Sequence, residues 1–170
     1  METDSRPKTA YEKAKFSAGG NMKWIILRGR WGLAVDTFLL RLTGYSLMTK
    51  QYALAHGLPY QPTLLLTTIG ARTGLKRTVG LPYFSVEGAL VVRGSNGGGP
   101  TDPHWVHNIR KSGDVTIHVK GKKTAVKAHV ASGEERVRLF GILDEMSSGT
   151  SMYQKMCAPR ELPLVVLREV

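Results

Sequence analysis

From Pro62 onward the chain is a series of short β-forming runs separated by glycine turns, and this texture limits what its 170 residues can fold into. Thr63 to Ile69 is a run of Thr, Leu and Ile that ends at Gly70. β-Branched residues bounded by turn residues favour strands. Thr78 to Phe84 returns, with Pro82 marking an edge or a bulge because it has no amide hydrogen to give a ladder. Ala89 to Arg93 follows a hairpin signal at Glu87-Gly88. Val115 to Val119 and Thr124 to Val130 flank Lys120-Gly121-Lys122, and both alternate apolar with polar residues, so each has one wet face. Leu162 to Leu167 closes the series. The pattern predicts a mainly β (α+β) fold, a small barrel of about six antiparallel strands with flanking helices.

The helices are signalled by caps and periodicity. Asp102 as N-cap, Pro103 at the first position and Gly113 as the stop predict one helix. Ser132 to Glu135 reads as a capping box opening a second, with Val137, Phe140, Leu143 and Met146 on one stripe. A Gly/Ser loop from Ser147 to Ser151 leads to a short segment around Tyr153. Upstream, residues 1–50 read as a basic amphipathic N-terminal extension and residues 51–170 as the barrel domain. Within the extension, residues 22–48 mix Trp, Leu and Phe with Arg and Lys, as one or two short helices. Two readings fit them: a cover over an open face of the barrel, or a seat in a membrane interface.

Composition narrows the partner. The net charge of +11 favours an anionic one. Single-strand nucleic-acid binders need aromatic stacking platforms. Aromatics are 8% of the chain and residues 115–130 contain none, which argues against nucleic acid. The single Cys157 precludes an internal disulfide and suits a reducing cytoplasm. The first residues lack the apolar run of a signal peptide, and charge interrupts every long apolar stretch, so no membrane-spanning helix is expected. The five histidines lack metal-ligand spacing, so no metal is assigned. With 13 acidic residues and no nucleophile elbow or Ser-His-Asp order, any chemistry would rest on a cofactor.

Two glycine-punctuated turns carry the binding signal. Gly70-Ala71-Arg72-Thr73-Gly74-Leu75-Lys76-Arg77 places three cations in one connection. It can clamp phosphate or carboxylate groups, or serve as a solvated tip that protects a sheet edge. Gly94-Ser95-Asn96-Gly97-Gly98-Gly99-Pro100 is a bare backbone loop directly before the capped helix. It is neither a Walker loop nor a dinucleotide fingerprint. It is either a surface loop or an anion site built from backbone N–H groups and a helix N-terminus.

These stretches, taken in order with Pro82-Tyr83-Phe84, Pro103-His104-Trp105-Val106-His107-Asn108 and the final Leu162-Pro163-Leu164-Val165-Val166, resemble the deazaflavin-dependent nitroreductase family over about residues 60–170. The resemblance implies a split β-barrel of the flavin-reductase-like class. It also implies coenzyme F420, an 8-hydroxy-5-deazaflavin with a polyglutamate tail. By position, Arg72 and Arg77 would grip the phosphate and tail carboxylates with Lys76 nearby. Pro82 and Tyr83 would line the cofactor channel, and Ser95 would lie near the deazaflavin ring. Asn96, Gly97 and Gly98 would serve the phosphate region, and Trp105 and Asn108 would close the pocket.

The implied reaction is hydride transfer to a quinone, an activated enone or a nitroaromatic. Ser95, Tyr83 and Tyr153 are the hydroxyls available to assist it. The implied setting is the cytoplasm, with a peripheral seat on the inner membrane face through residues 22–48 as a further expectation. The chain would be a monomer or a homodimer. Three departures bear on the acceptor. One tyrosine stands where several are usual before the last strand, Asn96 replaces a lysine, and His104 replaces an apolar residue. The alternatives are a non-catalytic barrel binding a lipid or fatty acid, and a flavin-binding barrel of the same class.

Overall fold

The computed structural model describes residues 29–55 and 59–169. Two helices, α1 (Gly29–Thr43) and α2 (Leu47–Ala55), precede the strands β1 (Thr63–Ile69), β2 (Lys76–Val86) and β3 (Ala89–Arg93). A helix α3 (His104–Lys111) leads to β4 (Asp114–Val119) and β5 (Lys122–Val130). Helices α4 (Gly133–Met146) and α5 (Gly149–Cys157) then precede β6 (Leu164–Glu169). The strands close in the order β1-β2-β3-β6-β5-β4, all neighbours antiparallel, as the β texture predicts.

Pro82 explains how a single strand serves two neighbours. β2 pairs with β1 from Lys76 to Pro82 and with β3 from Tyr83 to Val86. The proline, which cannot donate to a ladder, sits where one pairing gives way to the other.

Two apolar clusters hold the molecule together. Leu64, Leu66, Val92, Val165 and Leu167 fill the barrel, and α3 sinks Trp105, Val106 and Ile109 into the same cluster. The second cluster lies outside, where Leu139 and Leu143 of α4 and Cys157 of α5 cover Val91, Leu164 and Val166. β3 and β6 are therefore buried on both faces, which is why their sequences run apolar without alternating. β4 and β5 keep the expected wet face: Val115, Ile117, Val126 and Ala128 are buried, and Lys127 and His129 are exposed.

Some helix details differ from the sequence reading. Pro103, not Asp102, holds the cap position of α3, and the helix ends at Lys111 with Ser112 as its cap. Gly113 instead allows a close approach: a Cβ there would lie 2.5 Å from the Ala128 carbonyl oxygen. Ser132 caps α4 without a side-chain bond, and the Glu135 carboxylate turns to His129 Nε2 at 2.8 Å, so the capping box is not formed. The buried positions of α4 are Leu139 and Leu143, whereas Val137 and Met146 are exposed. The groove above β3 and β6 is met by a face rotated from the one the spacing suggested.

α1 is turned unusually. Its inward face is Gly32, Asp36 and Leu40, at i, i+4 and i+8. The Asp36 carboxylate accepts from Ser46 Oγ at 2.7 Å and from the Met48 amide at 3.0 Å, which fixes the α1–α2 corner. Several of its large apolar side chains point out: Trp31 is 86% exposed, Phe38 62% and Leu42 65%. Residue 50, where the sequence reading divides extension from barrel, lies within α2. Residues 22–28 lie outside the described residues.

Candidate functional site

β1 and β2 are joined by a turn that its own backbone closes. The Gly70 amide donates to the Leu75 carbonyl at 2.8 Å, and the Gly74 amide to the Gly70 carbonyl at 2.8 Å. Arg72 stands in this turn, whereas Lys76 and Arg77 are already the first residues of β2. Successive strand residues point to opposite faces. Arg77 therefore shares a face with Val79, Leu81 and Tyr83, and Lys76 points the other way.

α3 fastens the turn from behind. The Asn108 side-chain oxygen accepts from the Ala71 amide at 2.8 Å, and its nitrogen donates to Thr68 Oγ1 at 2.9 Å. Lys111 Nζ donates to the Ala71 carbonyl at 2.6 Å. Asn108 is buried, so these bonds form in a low-dielectric setting where their loss is costly. Nothing in the local sequence announces this staple, because its partners lie about forty residues apart.

The glycine loop forms the facing wall. Asn96, Gly97 and Gly98 adopt φ of 48°, 64° and 84° in a short 3-10 turn. The Asn96 side chain donates to the Thr101 carbonyl at 3.1 Å. The Gly98 and Gly99 amides bond to the Ser95 and Asn96 carbonyls, so they face the loop and not a ligand. Gly98 suits its place on two counts: its φ is positive, and a Cβ there would lie 2.9 Å from Met156 Cβ.

Between these walls lies a cleft of about 1100 Å³. It brings together Arg72, Arg77, Asn96, Trp105 and Asn108 from the residues picked out in the sequence. It adds Thr78, Val79, Thr101, His104 and His107. Among the described residues, neither Arg72 nor Arg77 is paired with a carboxylate. Asp102 also lines the cleft, but its two oxygens are held by Arg110 at 2.7 Å and Arg160 at 3.1 Å. The acid is thus neutralised at its own position, and the open end of the cleft stays cationic. The N-terminus of α3 opens into the same space and adds its partial positive charge.

Lys76, Pro82, Tyr83, Ser95, Gly97, Gly98 and Tyr153 do not line this cleft. Tyr83 is buried within the barrel cluster, four residues deeper along β2 than Val79. Burial first, and then Tyr60, raises its pKa from the ordinary 10.0, so its hydroxyl stays protonated. Tyr153 packs against the outer cluster, with the Arg93 guanidinium 5.3 Å from its ring centre. The Ser95 carbonyl accepts from Arg160 Nη2 at 2.9 Å and from Cys157 Sγ at 3.6 Å. Burial raises the Cys157 pKa, Arg160 lowers it and Asp102 raises it, and the net direction is upward. The buried thiol is therefore a packing group.

A family model described as F420H(2)-dependent quinone reductase matches residues 39–169. The chain belongs to that family. An F420H(2)-dependent quinone reductase of Mycobacterium tuberculosis strain H37Rv is 33% identical over 136 residues, spanning 78% of this chain and 91% of that protein. A solved F420-H2 dependent reductase, FDR-A, is 29% identical and superposes with a TM-score of 0.56, covering 63% of this chain and 94% of its own. A second solved chain, described as a domain-swapped dimer, is 26% identical with a TM-score of 0.57, covering 79% of this chain and 94% of its own. The sequence resemblance to deazaflavin enzymes is borne out, and of the acceptors it implies, the family model and the relatives carry the quinone in their descriptions.

Proposed function

We propose that this chain is a reductase that passes a hydride from reduced coenzyme F420 to a quinone, with the cofactor seated in the cleft between the β1–β2 turn and α3. The observation that carries this reading is a cationic cleft, walled by Arg72 and Arg77, in a chain of the F420H(2)-dependent quinone reductase family. The donor set fits the group. Two guanidiniums that pair with no carboxylate among the described residues, with a helix N-terminus, suit phosphate and carboxylate oxygens, and Trp105 offers an aromatic wall. When bound, the cofactor supplies the hydride.

The protein's share is to hold the tail, exclude water and orient the acceptor. Arg72 and Arg77 take the anionic groups, with Lys76 adding its charge only at longer range from the opposite face of β2. Of the three hydroxyls singled out in the sequence, Ser95 is the one next to a cleft-lining residue, Asn96, and is assigned to donate toward the acceptor oxygen. Tyr83 supports the wall from inside the barrel. Titration of the protein with F420, followed by cofactor fluorescence at low and high salt, tests the reading. Saturable micromolar binding that weakens with salt, with reduction of menadione by the reduced cofactor, is the expected result. Absence of binding by folded protein refutes it.

The outward face of α1 supports a second element, a seat on an anionic membrane surface where a lipid-soluble quinone would be met. Trp31, Leu33, Val35, Phe38 and Leu42 are exposed on one helix. Arg41 is exposed on the same helix, and the Lys120-Gly121-Lys122 turn lies against its end, where a Cβ on Gly44 would lie 2.6 Å from Lys120 Cα. Apolar anchors flanked by cations are the pattern of an interfacial helix. No helix among the described residues is long and apolar enough to cross a membrane. The protein is expected to float with vesicles containing phosphatidylglycerol. Trp31→Ser/Phe38→Ser should remain in the dense fraction. Equal flotation of the two refutes the seat, and loss of dimer in the variant without any flotation assigns the face to a second copy of the chain.

A further inference from the structure

The turn between α5 and β6 carries Arg160, whose side chain is 14% exposed and lies against the glycine loop. Its Nε donates to the Gly99 carbonyl at 3.1 Å, and its Nη2 to the Ser95 carbonyl at 2.9 Å. Its Nη1 reaches the Gly94 carbonyl at 3.3 Å and Asp102 Oδ1 at 3.1 Å. One guanidinium therefore ties the loop at its start, middle and end. We infer that Arg160 is a positioning residue for cofactor binding, fixing the Gly94–Asp102 loop as a preformed wall of the cleft. This rests on the reading of the cleft as the F420 site.

The loop needs such a tie. Asn96, Gly97 and Gly98 have successive positive φ values, a conformation that costs Asn96 energy and that glycine does not hold by itself. No ladder hydrogen bond reaches these residues, which lie between β3 and α3. Left free, each loop residue would pay about 1–2 kcal/mol of backbone entropy when a ligand ordered it. Held in advance, the wall presents Asn96 and the start of α3 at no further cost, and affinity rises accordingly. The charge of Arg160 is balanced by Asp102, so it is spent on the loop and not on the ligand. A lysine could keep the contact with Asp102 but has a single nitrogen on a flexible stem and could not hold three carbonyls at once.

Arg160→Lys and Arg160→Met in the full chain test this. In the free protein, amide exchange in residues 94–102 is expected to accelerate in both variants while β1 and β2 keep their protection. The dissociation constant for F420 should rise about tenfold, which is about 1.4 kcal/mol. Millimolar guanidinium should restore affinity to Arg160→Ala. Unchanged loop exchange, lost protection throughout the barrel, or a slowed hydride step at unchanged affinity would each overturn the inference. If the native protein fails to bind F420, the functional reading falls. The tie on the loop then stands or falls by the exchange measurement alone.

Discussion

Replacing Arg72 and Arg77 together by alanine is expected to raise the dissociation constant for F420 by about a hundredfold or more. Hydrogen bonds to charged groups contribute about 1.5–3 kcal/mol each, and two lost together correspond to at least about a hundredfold at about 1.4 kcal/mol per decade. Both residues are exposed, and among the described residues neither pairs with a carboxylate, so the fold should tolerate the change. The thermal midpoint should therefore stay near native while affinity collapses. Salt provides a second signature. Native binding should weaken as ionic strength rises, because opposed exposed charges are screened, and the double variant should have lost most of that dependence. Arg72→Lys/Arg77→Lys should recover only part of the affinity, since an ammonium is a point charge and cannot offer a fork to phosphate or carboxylate. Fluorescence titration reads all three. An unchanged dissociation constant in the alanine variant would show that the cofactor is held elsewhere.

Asn108→Leu should damage stability and binding together. The substitution keeps most of the side-chain volume in a buried position but removes both bonds that Asn108 makes. The Ala71 amide and the Thr68 hydroxyl then lose their partner, and leaving buried polar groups unsatisfied costs about 1–3 kcal/mol. For a chain of this length the thermal midpoint should fall by about 2–4 °C per kcal/mol, a drop readily seen by circular dichroism. The loss is local as well as global. Ala71 is the residue before Arg72, so freeing its amide loosens the turn that aims the first guanidinium. Affinity for F420 should drop in the same variant, and by more than a similar loss of stability produces when taken from Leu139→Ala, buried on α4 in the outer cluster. A native thermal midpoint in Asn108→Leu would mean that the staple carries no stability. A native affinity would mean that the turn is held by Lys111 and its own backbone bonds.

The class of fold was legible because it rests on local chemistry. Thr63 to Ile69 is a strand with the limits its composition implies, and alternation in Val115 to Val119 and Thr124 to Val130 reports one wet face each. Pro82 announced an irregularity, and the antiparallel ladders turned it into a change of partner. The basic turn and the glycine loop were visible as composition. Their likeness to deazaflavin enzymes followed from motif order, which is also one-dimensional information.

The chain by itself determined six short strands, the cationic turn and the need for an anionic partner, because periodicity, turn chemistry and charge are properties of neighbouring residues. Tertiary structure alone decided that Arg77 faces the cleft and Lys76 does not, since strand register sets which side of the barrel each residue meets. It decided that Tyr83 is interior and that Tyr153 lies against the outer cluster, although both read as available hydroxyls. It paired Asn108 with Ala71, and Arg160 with the glycine loop, across separations of 37 and more than 57 residues. Contacts of that range leave no local pattern, because their energy depends on where the closed barrel brings distant side chains and not on what stands beside them in the chain.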